Sequence, residues 1–179
     1  MASAFGHAYT AIAIRSGFSK SISNWKFLIL GIICSILPDA DVLSFKFGIA
    51  YEAFWGHRGF THSIVFAVLL GFAVTIIFYK EFIFSKRGLY YILFFSLCTL
   101  SHGILDAMTT GGLGVAFLSP FNNERYFFPW RPIKVSPIGA GHFFSEWGIK
   151  VLKSEAIWIG IPCTLFITFI KLKNRKMEN

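Results

Sequence analysis

Long apolar runs separated by polar loops are the main pattern of this chain. Three runs, residues 61–79, 88–105 and 155–172, are close to the ~20 residues that a helix needs to cross a bilayer. Two shorter runs, 2–14 and 25–37, precede them. As helices each would be only about 20 Å long, against a hydrocarbon core of ~30 Å. We therefore predict three spanning helices and two short companions that cross, tilt within the bundle or re-enter.

Two stretches do not have this apolar character, residues 38–60 and 107–154, and we expect both to be loops. Pro38 opens the first and predicts the end of the preceding helix. The predicted fold is an all-α membrane protein with one domain over residues 1–179. It is a bundle of about five apolar helices, with the two long loops on one side.

Composition and charge agree with a membrane protein. The chain is 55% hydrophobic and 15% charged, whereas soluble domains are about 25% charged. Its net charge of +8 comes from Lys and Arg that cluster beside apolar runs, which indicates membrane topology and no nucleic-acid partner. The cysteines, Cys34, Cys98 and Cys163, lie within apolar runs and form no CxxC pair, so a thiolate zinc site is not expected.

The distribution of charge predicts an orientation if all five runs cross. Three short stretches then share one side and hold ten cations: Arg15, Lys20, Lys26, Lys80, Lys86, Arg87, Lys171, Lys173, Arg175 and Lys176. The positive-inside rule places these in the cytoplasm. Every histidine and aspartate then falls on the outer side: His7, His57, His62, His102 and His142, with Asp39, Asp41 and Asp106.

The aspartates Asp39 and Asp41 follow Pro38, where an apolar helix is expected to leave the membrane. Two carboxylates at this spacing can bind or flank a divalent cation. A simple turn at the helix end is the alternative, since aspartate is common there.

The run from Gly56 to Ser63, GHRGFTHS, brings two histidines and an arginine to the start of an apolar helix. Thr61 is a plausible N-cap, which would put His62 in the first turn. Neutral imidazole is a common zinc ligand, and Arg58 could hold an anionic group with paired N–H donors. The alternative is a histidine–arginine anchor at the membrane interface.

His102 and Asp106 are four residues apart and therefore share one helix face. Asp106 could bind a metal, orient a metal-bound imidazole or simply satisfy His102. His7 gains weight only because it falls on the same side. His142 and Glu146, also four apart, are secondary candidates.

Clustered imidazole and carboxylate without thiolate suits Zn²⁺, or else Mn²⁺, and the cluster is large enough for two or more ions.

At these residues the chain resembles the YdjM-type family of bacterial inner-membrane proteins, described as membrane-bound metal-dependent hydrolases. The matching motifs are Gly6-His7, LPDAD from Leu37, GHRGFTHS from Gly56, and Ser101-His102 with Asp106 and Thr109, followed by Pro120, Pro132-Ile133 and Glu146. The resemblance implies a helical membrane hydrolase of the bacterial inner membrane. It also implies metal-binding roles for His7, Asp39, Asp41, His57, His62, His102 and Asp106. The order of these residues is similar to that in zinc-dependent phospholipases C.

We therefore expect hydrolysis of a phosphoester in a lipid or lipid-linked molecule, at headgroup depth. In this hypothesis the ligands would be His7, Asp39, His62, His102 and Asp106. Asp41 or His57 would be a further ligand or the general base, and Arg58 would hold the phosphate. A metal-dependent membrane protease or amidase is the second hypothesis, although the chain lacks HExxH. A metal transporter or sensor is the third.

Overall fold

The computed structural model describes residues 1–137, 143 and 145–178, and helices dominate it. The α-helices are α1 (Ala4–Ser16), α2 (Trp25–Ile36), α3 (Ile64–Tyr79), α4 (Lys86–Ala107), α5 (Glu146–Glu155) and α6 (Ile161–Glu178). Shorter 3₁₀ helices cover Leu37–Phe47, Phe60–His62 and Lys80–Phe82, and a π-helical turn, Ala156–Gly160, joins α5 to α6. The predicted all-α bundle is confirmed.

Within the described residues, four continuous helical rods are long and apolar enough to cross a bilayer: Trp25–Phe47, Ile64–Phe82, Lys86–Ala107 and Glu146–Lys176. Each of the three long runs predicted from sequence lies within or largely overlaps one of the last three rods. The first short run, α1, has 13 residues and stays below the length that spanning requires.

The α-helix ends at Ile36, just before Pro38, as predicted. The chain does not become a loop there, because Pro38 lies in the first turn of a 3₁₀ helix that follows directly. Proline is tolerated there because the N–H that it lacks would have no intrahelical partner. The combined rod, Trp25–Phe47, reaches 23 residues, so this run is not short, and much of the predicted loop 38–60 is helical.

The second predicted loop, 107–154, also ends earlier than expected. Helix α5 begins at Glu146 and continues through the π-helical turn into α6. Between α4 and α5, the described residues are tied down by isolated bridges between Thr109 and Ile133 and between Val115 and Tyr126. This segment folds back over the ends of the helices.

Aromatic packing forms much of the core between α2 and α4. The rings of Phe27 and Phe94, both fully buried, stack with centroids 3.8 Å apart, and Phe95 packs beside them. Helix α3 packs along α4. In a bilayer such close packing, rather than exclusion of water, holds helices together.

The helices place two groups of polar and charged side chains at opposite ends of the bundle. The start of α1, the end of α2 with the beginning of the 3₁₀ helix that follows it, the start of α3 and the end of α4 meet at one end, which we call the cluster end. At the other, the basic end, Lys26 at the start of α2 donates a 3.0 Å hydrogen bond to the carbonyl of Phe78 near the end of α3. Helices α2 and α3 therefore run antiparallel.

Candidate metal centre

His102 is held in one orientation by the backbone of α2. Its ring is fully buried, and Nδ1 lies 2.8 Å from the carbonyl oxygen of Ser35. A carbonyl can only accept, so Nδ1 carries the proton. Nε2 of a neutral ring therefore presents a lone pair to the cluster end.

His62 is oriented in the same way by Asp41. Its Nδ1 lies 3.1 Å both from Asp41 Oδ2 and from Thr61 Oγ1. The Thr61 hydroxyl donates a 2.6 Å hydrogen bond to Asp41 Oδ2, so both oxygens beside Nδ1 can act only as acceptors towards it. Nδ1 therefore donates, and Nε2 is left as an acceptor. Burial lowers the pKa of His62 to about 4, against the opposing effect of Asp41, so the ring is neutral at physiological pH.

The predicted cap of α3 was wrong by two residues. Ser63, not Thr61, is the N-cap, and its hydroxyl accepts from the backbone N–H of Phe66. His62 thus precedes the helix, in a 3₁₀ turn. Because Thr61 does not cap the helix, its hydroxyl is available to donate a hydrogen bond to Asp41.

Four potential ligand atoms converge. The Nε2 atoms of His62 and His102 are 3.0 Å apart, and Asp39 Oδ1 is 3.8 Å and 3.3 Å from them. Asp106 Oδ2 lies 3.7 Å from His62 Nε2. Ligand atoms of a tetrahedral zinc ion with bonds of about 2.0–2.1 Å stand about 3.3–3.4 Å apart. The four atoms, all within 4.8 Å of one another, have the spacing of such a site.

The cluster also needs a cation for electrostatic reasons. Two imidazole lone pairs facing each other at 3.0 Å repel, so a proton or a metal ion must lie between them. Among the residues that the structure describes, Asp39 Oδ1 is buried and has no hydrogen-bond partner, and buried acceptors are costly to leave unpaired. Oxygen and imidazole donors of this kind suit a divalent ion, so the residues fit the metal predicted from sequence.

Arg58 holds the carboxylate of Asp106 in position. Its Nε lies 2.9 Å from Asp106 Oδ2, while Nη2 donates to Thr109 Oγ1 at 3.0 Å and Nη1 to the carbonyl of Gly111 at 2.8 Å. Asp106 Oδ1 accepts from the backbone N–H of Ala2 at 2.7 Å. Arg58 is 0% exposed, so it is a buried partner of the cluster.

The loop that carries Arg58 is tightly folded. Arg58 has φ of 63°, a left-handed conformation that costs a non-glycine residue on the order of 1–3 kcal/mol. A Cβ on the next residue, Gly59, would lie 2.9 Å from the carbonyl oxygen of Gly56 and closer still to that of Phe54. Glycine is required there because the backbone has no room for a side chain.

A second group adjoins the first through His62, and it contains Asp41 and His57. Asp41 Oδ1 lies 2.6 Å from His57 Nδ1, and Oδ2 accepts from the backbone N–H of Arg58 at 3.1 Å. With the bonds from His62 and Thr61 described above, both oxygens of Asp41 are engaged. Asp41 therefore orients two imidazoles, and a second ion here would have to displace some of these bonds.

Two polar contacts of the site were not anticipated from sequence. Arg125 donates from Nη1 to the carbonyl of His57 and from Nη2 to that of Tyr51, both at 2.8 Å. These bonds fix the loop that carries His57. Glu155 is buried and accepts from the backbone N–H and the hydroxyl of Ser3. Glu155 could have been found from the sequence, because it is a lone carboxylate at the start of an apolar run. No pattern in the sequence indicated the role of Arg125.

The remaining candidates lie at the margin or outside. The ring of His7 stacks on His102 with centroids 3.8 Å apart, and its Nε2 is 3.6 Å from Asp106 Oδ1, so it adjoins the four converging atoms without joining them. Glu146 begins α5 and is in neither described ligand group. His142 falls outside the described residues.

Comparisons with known proteins agree on the family. The model of the YdjM inner membrane protein family matches residues 1–177. The inner membrane protein YbcI of Escherichia coli (strain K12) is 41% identical over 170 residues, which cover 94% of this chain and 96% of that protein. No solved structure matches. The chain belongs to the YdjM family of inner membrane proteins.

Proposed function

We propose that this protein is a metal-dependent hydrolase of the inner membrane that cleaves a phosphoester of a lipid or lipid-linked substrate. The observation that carries the proposal is the pair of facing Nε2 atoms of His62 and His102, flanked by Asp39 and Asp106. Burial of so many polar groups in a membrane protein is costly unless they have a function. Membership of an inner membrane family supports the location.

We propose Zn²⁺ as the ion, with Mn²⁺ as the alternative. A second ion at Asp41 and His57 would displace part of the hydrogen bonding of Asp41. A divalent ion at the four converging atoms would lower the pKa of a water molecule and polarise a phosphoryl oxygen. Asp39, His62, His102 and Asp106 would hold it. The order of these residues along the chain, similar to that in zinc-dependent phospholipases C, favours a phosphoester over a peptide.

The neighbouring residues have distinct proposed roles. His57 is the candidate general base, because its Nδ1 is held by Asp41 and this arrangement raises the basicity of the other ring nitrogen. From the sequence, Arg58 was expected to hold a phosphate. Its burial and its contacts with Asp106, Thr109 and Gly111 instead favour a positioning role, in which it fixes Asp106.

The site would lie at the outer face of the membrane in a multi-pass topology. The ten cations of the short loops belong to the basic end, and the positive-inside rule places that end in the cytoplasm. The cluster end would then face outward, at the depth of the lipid headgroups. A phosphoester of the outer leaflet is therefore the proposed substrate class.

Turnover of a phospholipid panel and of peptide substrates tests this function. We expect phosphoester hydrolysis by the wild type, its loss in His62→Ala, and its retention in Ser101→Ala, since the Ser101 hydroxyl donates to the carbonyl of Cys98 within α4. Hydrolysis of peptides with no phosphoester turnover would support the protease or amidase instead.

One observation favours a non-enzymatic metal sensor as the second candidate. The four converging residues are almost closed off from solvent: His102 and Asp106 are fully buried, and Asp39 is the most exposed of the four at 8%. A metal bound there without any turnover, and without metal uptake into proteoliposomes, would support the sensor over both the hydrolase and a transporter.

A further inference from the structure

A groove opens at the basic end between α1 and α6. Nearer the cluster end the two helices touch, with Tyr9 Oη 2.8 Å from Thr164 Oγ1. Beyond this contact they bound two adjoining hollows of about 360 and 480 Å³. Each is within the ~300–1,000 Å³ of typical ligand sites.

Four cations line the groove from both sides. Arg15 and Lys20 come from the end of α1 and the turn after it, and Lys171 and Lys173 come from the second half of α6. Among the lining residues that the structure describes there is no Asp or Glu. The groove therefore favours a ligand with negative charge.

Arg15 is already oriented in the absence of a ligand. Its Nε donates to Ser23 Oγ and its Nη2 to the carbonyl of Ser23, both at 2.7 Å. These bonds fix the plane of the guanidinium and use two of its five N–H donors. A pre-oriented guanidinium suits the paired oxygens of a phosphate.

Apolar side chains line both sides of the groove, together with the polar residues Ser16, Ser23 and Asn174. Ile12 and Phe18 form one wall, and Ile167 and Ile170 form the other. Beside this wall, α6 exposes Leu165 and Phe169, as a helix that faces lipid does. The groove thus combines a cationic mouth with an apolar side that is continuous with the lipid-facing surface.

From this combination we infer that the groove binds an acidic phospholipid of the bilayer, with its phosphate among Arg15, Lys171 and Lys173 and an acyl chain along α6. A soluble anion would use the charges but not the apolar wall. Basic pockets between membrane helices are known to bind acidic headgroups. The inference does not depend on the proposed hydrolase, because the groove is at the opposite end of the bundle.

Native mass spectrometry of the full chain, released from micelles with equal amounts of phosphatidylglycerol and phosphatidylcholine, tests the inference. We expect the wild type to retain phosphatidylglycerol selectively. Each Lys near a membrane contributes about 1 kcal/mol to such attraction, so Lys171→Gln/Lys173→Gln should lower the retained ratio at least about fivefold. Ile170→Trp, which fills the groove without changing charge, should lower it too.

The matched control is Lys80→Gln/Lys86→Gln, which removes two exposed cations at the same end but outside the groove. It should leave the lipid ratio close to that of the wild type. Equal loss of lipid in both double variants would mean that a diffuse surface charge attracts the lipid, and would contradict a site in the groove. An unchanged lipid ratio in Ile170→Trp would also contradict it. A change in oligomeric state in place of lipid loss would mean that a second copy of the chain fills the groove, and would contradict it as well.

Discussion

At the scale of single residues, the site depends on which ring nitrogen each histidine presents. The carbonyl of Ser35 accepts a hydrogen bond from the Nδ1–H group of His102, and Asp41 Oδ2 lies beside the Nδ1–H group of His62. Both Nε2 atoms therefore face inward. Residue types and spacing indicated a metal site, but the tautomers could not be predicted, because the carbonyl of Ser35 comes from another helix and carries no sequence signal.

Asp41→Asn tests the orienting role of this residue. The amide can still fill the space but accepts with one oxygen only, so one of the two imidazoles loses its acceptor. We expect metal affinity to fall about 10–100-fold without being abolished, as for other groups that orient metal ligands. Competition titration with a chelator measures it. If the variant loses metal as completely as Asp39→Asn, Asp41 is a direct ligand.

Arg58→Met tests whether the guanidinium is structural. Removing one partner of a buried ion pair leaves an uncompensated charge, here on Asp106, at a cost of about 3–5 kcal/mol. The thermal unfolding midpoint in detergent should drop markedly. Arg131→Met, at an exposed arginine, is the control and should change it little. Equal midpoints for the two variants would contradict a positioning role.

At the scale of helices, close approach of backbones holds α3 against α4. A Cβ on Gly71 would lie 2.8 Å from the carbonyl oxygen of Ile92 and from the backbone nitrogen of Ser96. Backbone atoms cannot rotate away as side chains can. The contact therefore requires glycine, as is common between membrane helices.

Gly71→Ala should force α3 and α4 apart and destabilise the protein by about 1–3 kcal/mol, the usual cost of overpacking. The unfolding midpoint in detergent measures this. Gly160→Ala is the matched control, since the nearest atom to a Cβ there is 3.7 Å away. A variant at Gly71 as stable as the control would show that the interface is looser than described.

Helices were predictable where one apolar run decided them, and less so where the local signals were ambiguous. The runs that form α3, α4 and α6 are long enough to identify on hydropathy alone. Pro38 was ambiguous, because proline both ends a helix and begins the next one. Thr61 and Ser63 are both good caps, and only the contact of Thr61 with Asp41, twenty residues away, decides between them.

At the scale of the whole molecule, polar chemistry is divided between two ends. The His and Asp residues that the structure describes meet at the cluster end, and short loops rich in Lys and Arg form the basic end. The separation of these two groups along the bundle was predictable from the alternation of runs and loops. The convergence of Asp39, His62, His102 and Asp106 was not, because it depends on how four helix ends pack together.

Cysteine labelling in intact cells tests the orientation of these ends. With Cys163 replaced by Ser and the buried Cys34 and Cys98 retained, Phe121→Cys should react with an impermeant maleimide. Phe121 is 87% exposed in the loop after α4. Ser85→Cys, between α3 and α4 and also exposed, should react only after the cells are opened. The reverse pattern would place the cluster in the cytoplasm.

The metal content of the purified protein tests the central claim most directly. After purification without chelator, elemental analysis of the wild type should find about one or two divalent ions per chain, chiefly zinc or manganese. The double variant His62→Gln/His102→Gln should hold almost none. If the wild type holds no more divalent metal than this variant, the facing imidazoles share a proton and the cluster is not a metal centre.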